Sequence, residues 1–156
     1  MIVVDVNVVA YLYLPGPHTA AAESLLLNDA DWAVPRLWQS EFRNILATYM
    51  RKNLLSLEQA IEIHQSAQDL LSGNEYDVSS LQVLRLSKEG GCSAYDGEYV
   101  ALAQHLGVRL VTADQSLLKA CHAKSTQVGQ LRKESSVKLA LRPPHRLSVL
   151  SQVSQA

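Results

Sequence analysis

Cysteine is scarce in this sequence of 156 residues: there are two, Cys92 and Cys121, and they form no CxxC pair. Two isolated cysteines argue against a disulfide framework and against a zinc site. The sequence also has no apolar run near the ~20 residues of a membrane helix, and no basic start followed by an apolar stretch like that of a secretory signal. We therefore expect a reduced, cytoplasmic protein that does not span a membrane.

Net charge is nearly absent as well, because 14 Lys and Arg residues balance 15 Asp and Glu residues. The molecule as a whole therefore has no strong field that would indicate a polyanionic partner. The length and the 47% apolar content fit one compact domain. We place it at residues 1–128 and treat 129–156 as a C-terminal extension, whose order the sequence leaves open. The extension is partly basic, with five Lys or Arg residues and one acid between residues 132 and 146, which is typical of a solvated terminus.

Common catalytic signatures are missing too. The sequence has no Gly-rich phosphate loop and no GxSxG motif, and its five histidines show no HExxH spacing. We therefore expect the histidines to be surface or core residues.

The apolar pattern predicts an α/β protein. Residues 2–9 are Ile or Val except at Asp5 and Asn7, which predicts a buried strand. Helices are predicted at 18–27, from Pro35 or Arg36 to 52, at 57–71 behind a capping box at Ser56, and at 79–88. Another is predicted at 94–106, capped at Ser93 and with an apolar stripe that includes Tyr95 and Tyr99. Further strands are predicted at 32–34, 75–78, 108–112 and 126–128. This alternation predicts a mainly parallel sheet with helices on both faces.

Asp5 is the residue that most needs a chemical explanation. An ionised carboxylate within an Ile and Val run is unfavourable unless it is hydrogen-bonded, paired or metal-bound. Side chains alternate along a strand, so Asp5 and Asn7 are expected on one side; alternatively, Asp5 ends the strand and caps the next helix. Thr112 and Asp114 end a later strand in the same way, although Asp114 also fits a helix N-cap. Because ligands gather beyond the carboxyl ends of parallel strands, these two strand ends predict one site.

Three further acids are candidates for the same site. Glu41 is expected beside the buried stripe of its helix, whereas Asp96 and Glu98 lie in a first helical turn, where the helix dipole alone favours acids. If Asp5, Glu41, Asp96 and Asp114 converge, their repulsion would protonate at least one of them unless a cation is present. Mg²⁺ and Mn²⁺ prefer oxygen ligands, and one or two such ions can bind a phosphodiester, activate water and stabilise the leaving oxygen.

Four segments, taken in order, resemble the PIN domain, and within it the toxin ribonucleases called VapC. They are VVDVNV at residues 3–8, SEFRNIL at 40–46, AYDGEYVALA at 94–103 and LVTAD at 110–114. The resemblance covers residues 1 to about 128. It implies a three-layer α/β/α sandwich and a Mg²⁺- or Mn²⁺-dependent endoribonuclease that acts on RNA.

The resemblance also implies roles for individual residues. The acidic quartet of the family corresponds to Asp5, Glu41, Asp96 and Asp114, with Asp5 and Asp96 as direct ligands of one or two ions. Asn7 and Thr112 match positions that orient carboxylates or a water molecule, and Glu98 matches an additional acid near the site. Members of the group pair with a small antitoxin protein and often form homodimers, so both kinds of partner are expected here.

Several alternatives remain at this stage. Arg43, Arg51 and Lys52 are candidates for holding the RNA backbone, although Arg51 and Lys52 also suit a helix C-terminus. A PIN nuclease can process RNA without being a toxin. A receiver-type domain would carry a phosphoryl group on Asp5, but Asn7 is not followed by Thr and no strand-end Lys is evident. A non-catalytic RNA- or protein-binding module is the last alternative, and retention of all four acids counts against it.

Overall fold

A computed structural model describes residues 1–115, 117–118 and 128–131 of the chain. Its elements are, in order, β1 (Ile2–Val4), α1 (Val6–Tyr13), α2 (Thr19–Asn28), β2 (Trp32–Pro35), α3 (Trp38–Arg51), α4 (Leu57–Leu71), β3 (Glu75–Tyr76), α5 (Ser80–Gly90), α6 (Ala94–Leu106), β4 (Leu110–Thr112) and β5 (Val128–Gln130). Residues 132–156 of the C-terminal extension lie outside the described residues, as do residues 126–127 of the last predicted strand.

The strands form one sheet in the order β3-β2-β1-β4-β5, and every pairing between them is parallel. The chain runs outward from β1 through β2 to β3, then returns to the other side of β1 with β4. Because parallel crossovers are right-handed, this reversal places α1 to α4 on one face and α5 and α6 on the other. The expected α/β/α sandwich is confirmed.

The core lies on both faces of β1, which is the central strand. Val3 and Val4 have no exposed surface, and α6 packs over β1, β2 and β4. On the opposite face α1 packs against α3 and α4. The apolar stripe predicted for α3 is confirmed, since Trp38 and Phe42 are fully buried. These contacts fix the helices that carry the candidate site residues.

The strand predicted over residues 2–9 is wrong beyond Val4. The chain turns into α1 at Val6, because the Asp5 carboxylate accepts a hydrogen bond from the Val8 N–H at 3.0 Å and caps the helix. Val residues favour strands only weakly, and burial of α1 in the core overrides that preference. The alternative in which Asp5 caps a helix is therefore confirmed, and Asn7 lies in the first turn of α1.

Some of the other predicted helix boundaries are correct and some are wrong. Pro35 does not open a helix but ends β2, and α3 begins at Trp38. The capping box at Ser56 is confirmed and opens α4. Ser93 caps α6 as expected, but Tyr95 does not belong to its buried stripe, since 62% of its surface is exposed. Among the helices of the described residues, none combines the length and apolarity that crossing a membrane requires.

Candidate functional site

The carboxyl ends of β1 and β4 lie side by side. Val4 pairs with Val111, and the Asp5 N–H donates to the Val111 carbonyl at 3.2 Å. The strand order reverses between these two strands, and ligands of open parallel sheets bind in the crevice at such a reversal. The two strand ends singled out in the sequence therefore meet at one edge of the sheet.

Asp5 is held at this edge by a small hydrogen-bond network. Its carboxylate is 3% exposed; Oδ1 accepts from the Val8 N–H, and Oδ2 accepts from the hydroxyl of fully buried Thr112. The Thr112 oxygen in turn accepts from the Asp114 N–H at 2.9 Å. Asp114 Oδ1 accepts from the Leu117 N–H at 3.4 Å, as a helix N-cap does. Thr112 thus connects the side chain of Asp5 to the backbone of Asp114.

Burial dominates the electrostatics of Asp5. Burial is the largest cause of a pKa that is raised from 3.8 to about 6. The hydrogen bonds from Thr112 and Val8 lower the pKa and only partly offset burial, whereas the charge of Asp114 raises it further. A buried carboxyl with a raised pKa at a sheet edge is a feature of functional sites more than of structural ion pairs.

Glu41 reaches the same edge from α3. It lies in the first turn of that helix, half-buried, and its Oε2 accepts from the hydroxyl of Tyr99 at 2.5 Å. Tyr99 is 2% exposed on α6, on the other face of the sheet, so this bond connects the two helix layers. Burial raises the pKa of Glu41, and the charges of Asp5 and Asp96 raise it further. Burial and the charge of Glu41 also raise the pKa of Tyr99, which therefore remains the proton donor in this bond.

Asp96 lies in the first turn of α6, and Glu98, which was expected in the same turn, lies just after it. Asp96 is half-buried, its Oδ2 accepts from the Ser93 hydroxyl at 2.8 Å, and its N–H donates to the Ser93 oxygen at 3.1 Å. Glu98 is also half-buried, and burial raises its pKa. Since both acids contribute to the raised pKa of Glu41, they lie in its immediate surroundings.

The structure thus brings all of the predicted acids to one region, with Asp5 and Asp114 on the strand ends and the others on the facing helix ends. Asn7 is half-buried in the first turn of α1. The proposed RNA-binding cations are exposed on α3 or just after it: Arg43, Arg51 and Lys52. Two of them are tied to their own helix, where Arg43 donates to Ser40 and Arg51 to Thr48.

The chemistry of these donors fits a hard divalent cation, although their present arrangement is not a coordination shell. They are all carboxylate oxygens, the ligands that Mg²⁺ and Mn²⁺ prefer. The ion pairs formed by the described residues involve neither Asp5, Glu41 nor Asp96. Within the same residues no three His, Cys, Asp or Glu side chains are close enough to hold a metal ion. A shared ion would require these carboxylates to come closer together than they lie here.

Tyr99 is the residue that the sequence analysis missed. Its position in the apolar stripe of α6 identified it as core, and its burial confirms that much. A buried tyrosine needs a partner for its hydroxyl, and Glu41, an acid beside the buried face of another helix, was the available signal.

Tyr99→Phe is expected to lower the free energy of unfolding by about 2 kcal/mol, because it removes a buried hydrogen bond to a carboxylate. It should also raise the pKa of Glu41, which loses the hydrogen bond that opposes its burial. Urea unfolding measures the first effect and NMR titration of the Glu41 carboxyl carbon the second. Tyr95→Phe is the matched control, since it removes an exposed hydroxyl from the same helix. Equal stability of the two variants would show that the bond to Glu41 contributes nothing.

The chain matches a known protein family and is similar to a known protein. The family described as PIN domain matches residues 2–123. A curated protein named Ribonuclease VapC3, from Pyrobaculum aerophilum, is 28% identical over 119 residues, which is 74% of this chain and 91% of that protein.

Several solved structures share the fold of this chain. The crystal structure of PAE2754 from Pyrobaculum aerophilum superimposes with a TM-score of 0.65 at 23% identity, covering 83% of this chain and 90% of the other. A toxin-antitoxin complex from Klebsiella pneumoniae contains a chain with a TM-score of 0.62 at 14% identity, covering 86% and 100%. At these identities the two structures show that the fold is shared.

Proposed function

This chain belongs to the PIN-domain family, and on that premise we propose that it is a metal-dependent endoribonuclease that hydrolyses RNA phosphodiester bonds. The observation that carries the proposal is the meeting of Asp5 and Asp114 at the β1 and β4 ends, with Glu41 and Asp96 close by. The similarity of this chain to the protein named Ribonuclease VapC3 supports the proposal.

The residues at this edge would have separate roles in hydrolysis. Asp5 and Asp96 would hold one or two Mg²⁺ or Mn²⁺ ions, with Glu41 and Asp114 completing the set directly or through water. When bound, such an ion lowers the pKa of water and neutralises charge that develops on the phosphate oxygens.

Around this set, Thr112 would keep Asp5 oriented through its hydrogen bond, and Asn7 and Glu98 would orient the carboxylates or a water molecule. Tyr99 would hold Glu41 in place by donating to its Oε2. The phosphodiester backbone would be held by Arg43, Arg51 and Lys52, which are exposed on and beside α3.

We further propose that the chain is the toxin of a VapBC-type pair, acts in the cytoplasm as a homodimer, and is controlled by a small antitoxin. The toxin-antitoxin complex among the similar structures supports this choice over an RNA-processing nuclease. A gene for a small antitoxin next to the gene for this chain is expected, and an isolated gene would favour RNA processing. The nuclease domain would comprise residues 1–128, followed by the partly basic extension at residues 129–156.

The direct test is cleavage of a single-stranded RNA by the purified protein. We expect cleavage with Mg²⁺ or Mn²⁺ and its complete loss when EDTA is added, because the carboxylates alone only repel the phosphate. Recovery on adding excess Mn²⁺ controls for damage by the chelator. Cleavage that persists in EDTA, or RNA that stays intact with both metals, would contradict the proposed function.

A further inference from the structure

Helix α1 has one partly exposed ridge, and that ridge begins beside the acids. Of its eight residues, Asn7 and Tyr11 are the two that are not buried. They lie four residues apart and therefore on the same helix face. Side chains of a helix lean toward its N-terminus, so the Tyr11 ring covers the turn that contains Asn7 and approaches the end capped by Asp5.

Tyr11 is paired with a second ring. Its centroid lies 4.7 Å from that of His18, with 26° between the ring planes, which is a stacked arrangement. The connection that brings His18 back to α1 is short and restrained. Thr19 Oγ1 accepts from the Gly16 N–H at 3.0 Å and donates to the Leu14 carbonyl at 3.4 Å. The stack is thus formed in advance, so a ligand that uses it need not order the two rings.

The surroundings of Tyr11 include the acidic site. Burial is the main cause of the raised pKa of its phenol, and the charges of Asp5 and Asp114 raise it further, followed by Tyr49 of α3. The ring is therefore near the two strand-end acids without being one of the groups that would hold a cation.

Tyr11 packs against the hydrophobic core, but this packing leaves part of its ring exposed. The other six residues of α1 supply its buried surface, whereas Tyr11 and His18 are each half-buried. RNA that approaches a cluster of carboxylates meets repulsion, and the affinity of a base for an aromatic ring does not depend on charge. Single-stranded RNA is commonly bound through such stacking, which is tolerant of base identity.

We propose that the stacked rings of Tyr11 and His18 form a platform that receives one nucleobase of the RNA next to the cleaved phosphate. The proposal rests on the nuclease function above and adds a substrate-contact site to it. Stacking of that base places its phosphate at the β1 and β4 ends and selects single-stranded RNA, because a paired base cannot lie on the platform.

The test uses RNA in which one nucleotide at a time lacks its base. Binding is measured by fluorescence anisotropy with Asp96→Asn protein, so that the RNA stays intact, and cleavage is measured with the wild-type site. Loss of the base at one position is expected to weaken binding about tenfold. Tyr11→Leu should weaken the binding of intact RNA by about the same factor. For this variant, removing the base should cause no further loss of affinity.

Two variants serve as controls. Tyr11→Phe keeps the ring and should bind like the parent, and Tyr76→Leu removes a half-buried tyrosine from the edge strand β3 and should keep both affinity and base dependence. The platform is overturned if the affinity of Tyr11→Leu still depends on the base, or if there is no position of the RNA at which removing the base weakens binding to the parent protein. Either result counts against the platform even if the protein cleaves RNA. Base-dependent binding through Tyr11 without any cleavage would instead contradict the nuclease function alone, and absence of RNA binding would contradict both.

Discussion

Asp96→Asn is expected to reduce RNA cleavage by about 10³-fold, because it removes a charged oxygen from the group that would hold the cation. The fold should be unaffected. The Ser93 hydroxyl can donate to the asparagine side-chain oxygen as it does to Asp96, and the backbone cap between the two residues does not involve the carboxylate. Initial rates on a fluorogenic RNA with saturating Mn²⁺ measure the effect, and circular dichroism tests the fold.

Asp69→Asn is the matched control for this experiment. Asp69 is an exposed aspartate on α4, so the substitution changes the net charge by the same amount without touching the sheet edge. Cleavage at the wild-type rate is expected from it. If Asp96→Asn also retained that rate, Asp96 would have no part in the chemistry, and the acids would not act as one group.

Asp5→Asn is expected to stabilise the metal-free protein at neutral pH while abolishing cleavage. The Asp5 carboxyl has a pKa of about 6 in the folded chain and 3.8 as an ordinary group. The folded state therefore holds a proton that the unfolded state releases between these values, and stability falls as the pH rises from about 4 to about 6. Above that range the full penalty is present, at most about 3 kcal/mol.

The asparagine removes the charge and keeps the shape. Its side-chain oxygen can still accept from the Val8 N–H, and its amide can donate to Thr112. Urea unfolding in EDTA should show the variant to be more stable at about pH 7.5 and equal to the wild type at about pH 3.5, where both forms of the site are neutral. A variant that is less stable than the wild type at both values would mean that the charge of Asp5 is not the source of the penalty.

The fold and the position of the site follow from different parts of the sequence. The capping signals at Ser56 and Ser93 fixed two helix starts, because a side-chain cap is decided by residues close in sequence. The end of β1 was misplaced because a Val-rich stretch suits both a buried strand and a buried helix. What decided between them was packing of α1 against α3 and α4, which no local pattern contains.

Asp5 and Asp114 were predictable because each ends a strand at the same edge, and Glu41 because it lies beside a buried stripe. Asp96 has an ordinary explanation in the helix dipole and was identified through the family resemblance. The partners of these side chains were not predictable. The bond between Tyr99 and Glu41 joins residues 58 positions apart on opposite faces of the sheet, and the stack of Tyr11 on His18 depends on the path of one short loop. Contacts of this kind require the tertiary structure.

The central claim is that carboxylates from distant parts of the chain share a divalent cation, and thermal unfolding with added Mn²⁺ tests it without RNA. The wild-type protein should unfold at a higher temperature as Mn²⁺ is added, since a ligand of the folded state stabilises it, whereas Asp5→Asn should not respond. An unfolding temperature that Mn²⁺ leaves unchanged in the wild type, or raises equally in both proteins, would contradict the account.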